Sequence, residues 1–133
     1  NPPSPPIAGS DSDINNNSIA ARLVYGRFAM LLAADAETAA ETAMLQKFGD
    51  GLKSQVLKSG HHGSRTSSSP AFLKAVAPAA AIISAGAANE YHHPHPSVLK
   101  RYADRKIKVY LTATDGTVTV TSDGQTYQIA KEK

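Results

Sequence analysis

Apolar residues along the chain gather in short blocks separated by glycine, proline and polar punctuation, and each block has the length of one secondary-structure element. From Ser18 to Leu32 a mostly apolar run is broken at Gly26-Arg27, which predicts a β-hairpin. Ala36 to Phe48 is rich in Ala, Glu, Met, Leu and Gln, with Ala40, Met44, Leu45 and Phe48 on one face, so a helix is expected there, stopped by Gly49-Asp50-Gly51. Leu52 to Leu57 reads as a short strand. Ser67-Ser68-Ser69-Pro70 can cap a helix over Ala71 to Val76 that Pro78 closes. The continuous apolar run Ala79 to Ala85, ending at Gly86, has the pattern of a buried strand. Pro96 to Tyr102 starts another helix, Lys108 to Thr112 forms a strand, and Thr117 to Thr121 with Thr126 to Ile129 make a hairpin turned at Asp123-Gly124. Helices interleave with strands, so the fold class is α/β, with a mixed sheet flanked by helices. Residues 1–17 are rich in Pro, Asn, Ser and Asp and read as a linker or a loop between strands or half-domains, leaving 18–133 as the folded unit.

Composition narrows the partners. A chain of 133 residues suits one core. Hydrophobic residues make up 41 % of it, a globular proportion, yet many are alanine, Trp is absent and aromatics are 6 %, so the core must rest on Leu, Ile, Val and a few rings. The net charge of +3 suits anionic substrates without reaching the density of a dedicated nucleic-acid arm. With no cysteine, disulfides and thiolate zinc sites are excluded, and any metal must be held by His, Asp or Glu. No stretch approaches the ~20 apolar residues of a membrane span and no signal peptide is visible, so a soluble chain is expected.

All five histidines fall in two loops that follow predicted buried strands: His61 and His62 after Leu57, and His92, His93 and His95 after Ala85. Asp35 ends the apolar run Met30 to Ala34, so strand, helix and strand can return it to the same sheet edge as the first histidine pair. Imidazole and carboxylate suit zinc, manganese or iron, and a pair of such ions activates water and clamps phosphate oxygens, which points to metal-assisted hydrolysis. Plainer readings stand beside this one. The His-His pair can be a turn feature, Asp35 can be an N-cap for the following helix, His92 to Pro96 can be a polar loop, and Lys100, Arg101, Arg105, Lys106 and Lys108 can be a solvated face rather than a nucleic-acid contact.

The motifs Asn15-Asn16-Asn17-Ser18-Ile19, Leu23-Val24-Tyr25-Gly26, Leu31-Leu32-Ala33-Ala34-Asp35-Ala36-Glu37, Val56-Leu57-Lys58-Ser59-Gly60-His61-His62-Gly63-Ser64 and Asn89-Glu90-Tyr91-His92-His93-Pro94-His95-Pro96 occur in this order. Together, over about residues 14–127, they resemble the second half of the metallo-β-lactamase-like domain of the ComEC/Rec2 family, DNA-internalisation channel proteins of natural competence. The resemblance implies half of an αββα sandwich. It makes Asp35 a metal-bridging aspartate and His61 the preferred last ligand of a zinc or manganese pair. It casts His62 and His93 as catalytic groups that handle protons or phosphate, and Ser64 and Asn89 as substrate-binding residues, with Asn89 bracing its loop. It further implies phosphodiester hydrolysis of a DNA strand at the extracytoplasmic face of a bacterial membrane, next to a membrane channel, with DNA as partner. The His-x-His-x-Asp-His type motif of the first half is not present in the chain, so the second half is expected to need a first half-domain or a homodimer partner over its sheet and to be inactive by itself. Two positions depart from the pattern: Ala33-Ala34 stand for the usual Thr-Gly, and His92 for the glycine before His-Pro. A free-standing hydrolase of small phosphoesters with the same fold, or a DNA-binding or partner-binding module without catalysis, is the alternative.

Overall fold

The computed structural model describes residues 3–133. Five strands form one sheet in the order β1 (Ala21–Tyr25), β2 (Phe28–Leu32), β3 (Val56–Lys58), β4 (Ala80–Ile83) and β5 (Lys108–Leu111). β1 and β2 are an antiparallel hairpin in which Tyr25 faces Phe28, while β2, β3, β4 and β5 run parallel to one another. A sheet that grows in one direction through right-handed crossovers places all its crossover helices on the same face. α2 (Thr38–Phe48), α3 (Pro70–Val76) and α4 (Pro96–Asp104) accordingly share one core with the sheet residues Leu31, Leu57, Ala81 and Ile83. Phe72, Leu73 and Val76 of α3 and Val98 and Tyr102 of α4 are almost wholly withdrawn from water. Each such side chain contributes roughly 1.5–3 kcal/mol of burial.

Alternation along the strands sends Phe28, Val56, Ala80, Ile82 and Tyr110 to the opposite face. That face is covered by the chain's own second hairpin, β6 (Val118–Ser122) and β7 (Tyr127–Lys131), whose Val118, Val120, Tyr127 and Ile129 pack against it. Phe28 and Tyr127 meet with ring centroids 5.3 Å apart. The two hairpin turns touch: the Arg27 amide donates to the Gly124 carbonyl at 2.6 Å. Gly26, at φ +57°, lies so close that a Cβ there would clash with the same oxygen. The exposed apolar side chains left over include Leu23, Val24 and Tyr25 on the edge strand β1.

Several boundaries differ from the pattern-based expectation. The strand expected from Leu52 is confined to Val56–Lys58, because Gly49–Leu52 winds into a 3-10 turn that buries Leu52 against the helical core. Thr112 leaves the last parallel strand to start a helical turn, Thr112–Asp115, and its hydroxyl takes the Ala85 amide at 3.0 Å. Residues 13–16 form a short helix, α1 (Asp13–Asn16), where no regular structure was expected. Asn17 accepts from the Ile7 amide and donates back to the Ile7 carbonyl, which fastens the proline-rich segment to this turn. A cavity of about 490 Å³ lies between residues 3–7 and α2 and is lined by none of the histidines and not by Asp35.

Candidate metal centre

The carboxyl ends of β2, β3 and β4 lie side by side, which is where an open parallel sheet offers its crevice. The loop after β2 carries Asp35, the loop after β3 carries His61 and His62, and Ser84 follows β4. Two backbone bonds join the first two loops: the Ala33 amide to the Lys58 carbonyl, and the His61 amide to the Ala34 carbonyl at 2.9 Å. Both histidines sit in the left-handed region, His61 at φ 43° and His62 at φ 53°, a conformation that costs non-glycine residues free energy and clusters at functional sites. Gly60 is packed so tightly that a Cβ would stand 2.8 Å from the Ala36 carbonyl.

His62 Nδ1 lies 2.7 Å from the Ser84 carbonyl, and a carbonyl only accepts, so Nδ1 carries the proton. In the neutral ring Nε2 then presents a lone pair, and it points at Asp35 Oδ1, 3.6 Å away. Both side chains are about half exposed. A ring N–H fixed on a backbone carbonyl, which leaves the other nitrogen free to ligate, is how a metal-ligating histidine is oriented. The donor set fits a divalent ion on one side. Among the described residues no group of three or more His, Cys, Asp or Glu side chains is arranged to hold one.

His61 has different surroundings. Its Nδ1 is 3.0 Å from Glu37 Oε1, at an angle that makes no hydrogen bond, and its Nε2 is 3.4 Å from Asn15 Nδ2. Asn15 also donates to Glu37 Oε1 at 3.0 Å, so Asn15 and Glu37 enclose this ring. The Glu37 carboxyl is held below its ordinary value: burial opposes this, but hydrogen bonds from Asn15 and Thr66 and the His61 ring outweigh it. The geometry therefore brings Asp35 to His62 and leaves His61 facing Glu37, Asn15 and His93.

Asp35 does not cap α2. That helix starts at Thr38, Glu37 occupies the cap position without a side-chain bond, and Asn16 supplies the cap from a distant segment, its Oδ1 taking the Glu37 and Ala40 amides. Asp35 instead has its own amide fixed on the Ser18 hydroxyl at 3.1 Å, which leaves the carboxylate directed at His62.

The second histidine loop closes over the first. The His95 amide donates to the Gly63 carbonyl at 2.9 Å, and a Cβ on Gly63 would stand 2.8 Å from the Pro94 ring. The His61 and His93 rings are 5.6 Å apart, and Tyr91 stacks on His93 at 5.8 Å. Desolvation, reinforced by the nearby His61, His62 and His95, lowers the His93 pKa below its usual 6.5. Asn89 spends its amide on its own loop, accepting from the His93 amide and donating to the Gly86 and His93 carbonyls. Ser64 is buried, with its hydroxyl 3.0 Å from that of Thr66. His95 caps α4 by accepting from the Ser97 amide.

Under the histidine loop lies a buried polar network. Glu41 takes the Ser68 and Ser69 amides, and Tyr102 bonds the hydroxyls of Ser59 and Ser68 at 2.8 Å each. Ser67 donates to the Gly60 carbonyl at 2.8 Å. Arg101 donates to the carbonyls of Arg65, Ser67 and Ser68, and Arg105 to that of Pro70. The basic face of α4 is thus partly a clamp on this loop. Pattern reasoning missed Asn15, Asn16, Glu37 and Glu41. The asparagine run and the Asp-Ala-Glu spacing were the available signals, but only the tertiary contacts give them roles.

No family model matches the chain. It is 42 % identical over 111 residues to Competence protein ComA of Neisseria gonorrhoeae, covering 84 % of this chain and 16 % of that protein. It is 37 % identical over 113 residues to ComE operon protein 3 of Bacillus subtilis, covering 85 % of this chain and 14 % of the relative. With Recombination protein 2 of Haemophilus influenzae the identity is 40 % over 106 residues, 80 % of this chain and 13 % of the relative. The chain spans only 13–16 % of the length of these relatives. Over most of its own length it is therefore homologous to one segment of these proteins, whose names are those of the ComEC/Rec2 competence group.

Proposed function

We propose that this chain is the second half of a metallo-β-lactamase-like domain that hydrolyses phosphodiester bonds during DNA uptake in natural competence. The observation that carries the reading is the His62 ring, tied by Nδ1 to the Ser84 carbonyl and aimed by Nε2 at Asp35. Homology to competence proteins supplies the biological setting. Asp35 and His62 would hold zinc or manganese, with His61 as the remaining candidate ligand of the histidine pair. Such an ion, when bound, supplies Lewis-acid activation of water and neutralises phosphate charge. The chain's own contribution is to orient that pair, to place His93 beside His61 where it can pass a proton to the oxygen that leaves as water attacks phosphorus and the P–O bond to the leaving strand breaks, and to hold the second loop over the first through Gly63 and Pro94. The remaining ligands belong to a first half-domain, and the substrate is a DNA strand at the extracytoplasmic face, beside the channel of the parent protein. The bonds that Arg101 and Arg105 make to backbone carbonyls weigh against a module that binds DNA through α4 alone.

The test joins residues 1–133 to a first half-domain carrying the missing metal motif, then measures metal content and cleavage of a single-stranded oligonucleotide with manganese or zinc. Asp35→Asn and His62→Ala are expected to lower both by about a hundredfold or more. Cleavage that persists in both variants, or that is absent from the joined protein with every divalent metal, would sink the reading.

A further inference from the structure

Lys58 is the last residue of β3, the strand that leads into the histidine loop, and in register it lies between Leu32 of β2 and Ile82 of β4. It shares the sheet face of Val56 and is half-buried. Its ammonium donates to the Ser59 carbonyl at 3.1 Å, which engages one of three protons. Among the described residues no carboxylate lies within ion-pair distance of it, whereas Lys100 and Lys131 are both paired with aspartates. Asp35 is near enough to favour the charged form, but desolvation is the larger influence and pulls the pKa down. A half-buried lysine at a strand end, with one ammonium proton engaged on a carbonyl and no paired carboxylate among the described residues, carries a charge that an incoming anion would neutralise.

We infer that Lys58 is the anion-holding residue of this site, donating its free ammonium protons to a phosphate oxygen of the nucleic-acid strand. The assignment rests on the phosphodiester reading for the identity of the anion and adds a group outside the ligand set. Charge-assisted bonds to phosphate are among the stronger hydrogen bonds, and a lysine supplies them as a movable point charge.

Binding can be read without metal or turnover. Inorganic phosphate and the dinucleoside monophosphate TpT are titrated into the chain at pH 7.5, with amide shifts followed by NMR and circular dichroism melts run on every variant. The first probe reports a terminal phosphate and the second an internal diester. Lys58→Met is expected to weaken at least one of them by about tenfold, with the wild-type shifts centred on residues 58–64, and Lys58→Arg to recover part of the loss. Lys74→Met removes an exposed charge from α3 and should change nothing. Equal binding by wild type and Lys58→Met, equal losses in the Lys58 and Lys74 variants, or no binding of either probe to the wild type would overturn the assignment. Lys58-dependent binding in a joined domain that cleaves no DNA would instead remove the hydrolase reading and leave the anion site standing.

Discussion

Ala34 and His92 stand where the resembled motif pattern has glycine, and both adopt the backbone that glycine favours, at φ 49° and φ 53°. The turn before Asp35 and the turn before His93 are therefore kept at the expense of local strain, about 1 kcal/mol or more for a residue with a Cβ. Ala34→Gly and His92→Gly are each expected to raise stability by about 1 kcal/mol, less any entropy gained by the unfolded chain, in urea unfolding at pH 7. A loss of stability in both would show that the side chains contribute packing that outweighs the strain. The same scale separates the two histidines of the pair. Their neighbours in sequence are identical in character, but one ring is backed by a carbonyl and the other by a glutamate and an asparagine.

At the scale of elements, the histidine loop is held from beneath by two helices. Glu41 of α2 accepts two consecutive backbone amides, and burial raises its pKa although those bonds and Arg101 oppose the shift. Glu41→Gln can satisfy one of these amides and turns an N–H donor toward the other. That change is expected to cost about 1–3 kcal/mol by chemical unfolding, with faster hydrogen exchange at residues 59–69. Unchanged exchange there would mean that the loop is held by Tyr102 and Arg101 instead.

The element pattern was legible because the apolar blocks, the Gly26-Arg27 and Asp123-Gly124 turns and the Ser69-Pro70 cap act within a few residues. Asp35 and the histidine loops were legible as candidates because they follow apolar strands. The cap of α2 was not legible, since Asn16 reaches it from more than twenty positions upstream. Nor could spacing decide between His61 and His62, because the left-handed turn that splays the rings apart depends on contacts from Ala34, Ser67 and Tyr102.

For the whole molecule, the sheet needs cover on both faces, and the three crossover helices serve only one. The β6–β7 hairpin covers the other through Tyr127 and Ile129, and its turn is keyed to the β1–β2 turn by the Gly26 and Gly124 contact. Gly26→Ala combines an unfavourable φ with a backbone clash, so a loss of at least about 2 kcal/mol is expected by thermal unfolding, together with greater solvent exposure of Tyr127 by fluorescence. A variant as stable as the wild type would mean that the hairpin docks through its strands alone.

The edge strand β1 has a consequence for how long the protein survives in a tube. All five of its residues are exposed, no strand among the described residues pairs with its outer edge, and Arg22, its only charged residue, is engaged with the Lys53 carbonyl and the Ser54 hydroxyl. Leu23, Val24 and Tyr25 thus form an unguarded ledge onto which another strand can add. Shelf life is then expected to be governed by collisions between molecules rather than by melting, so that light scattering during storage should rise faster at doubled concentration, and equal rates at both concentrations would show that the ledge recruits nothing.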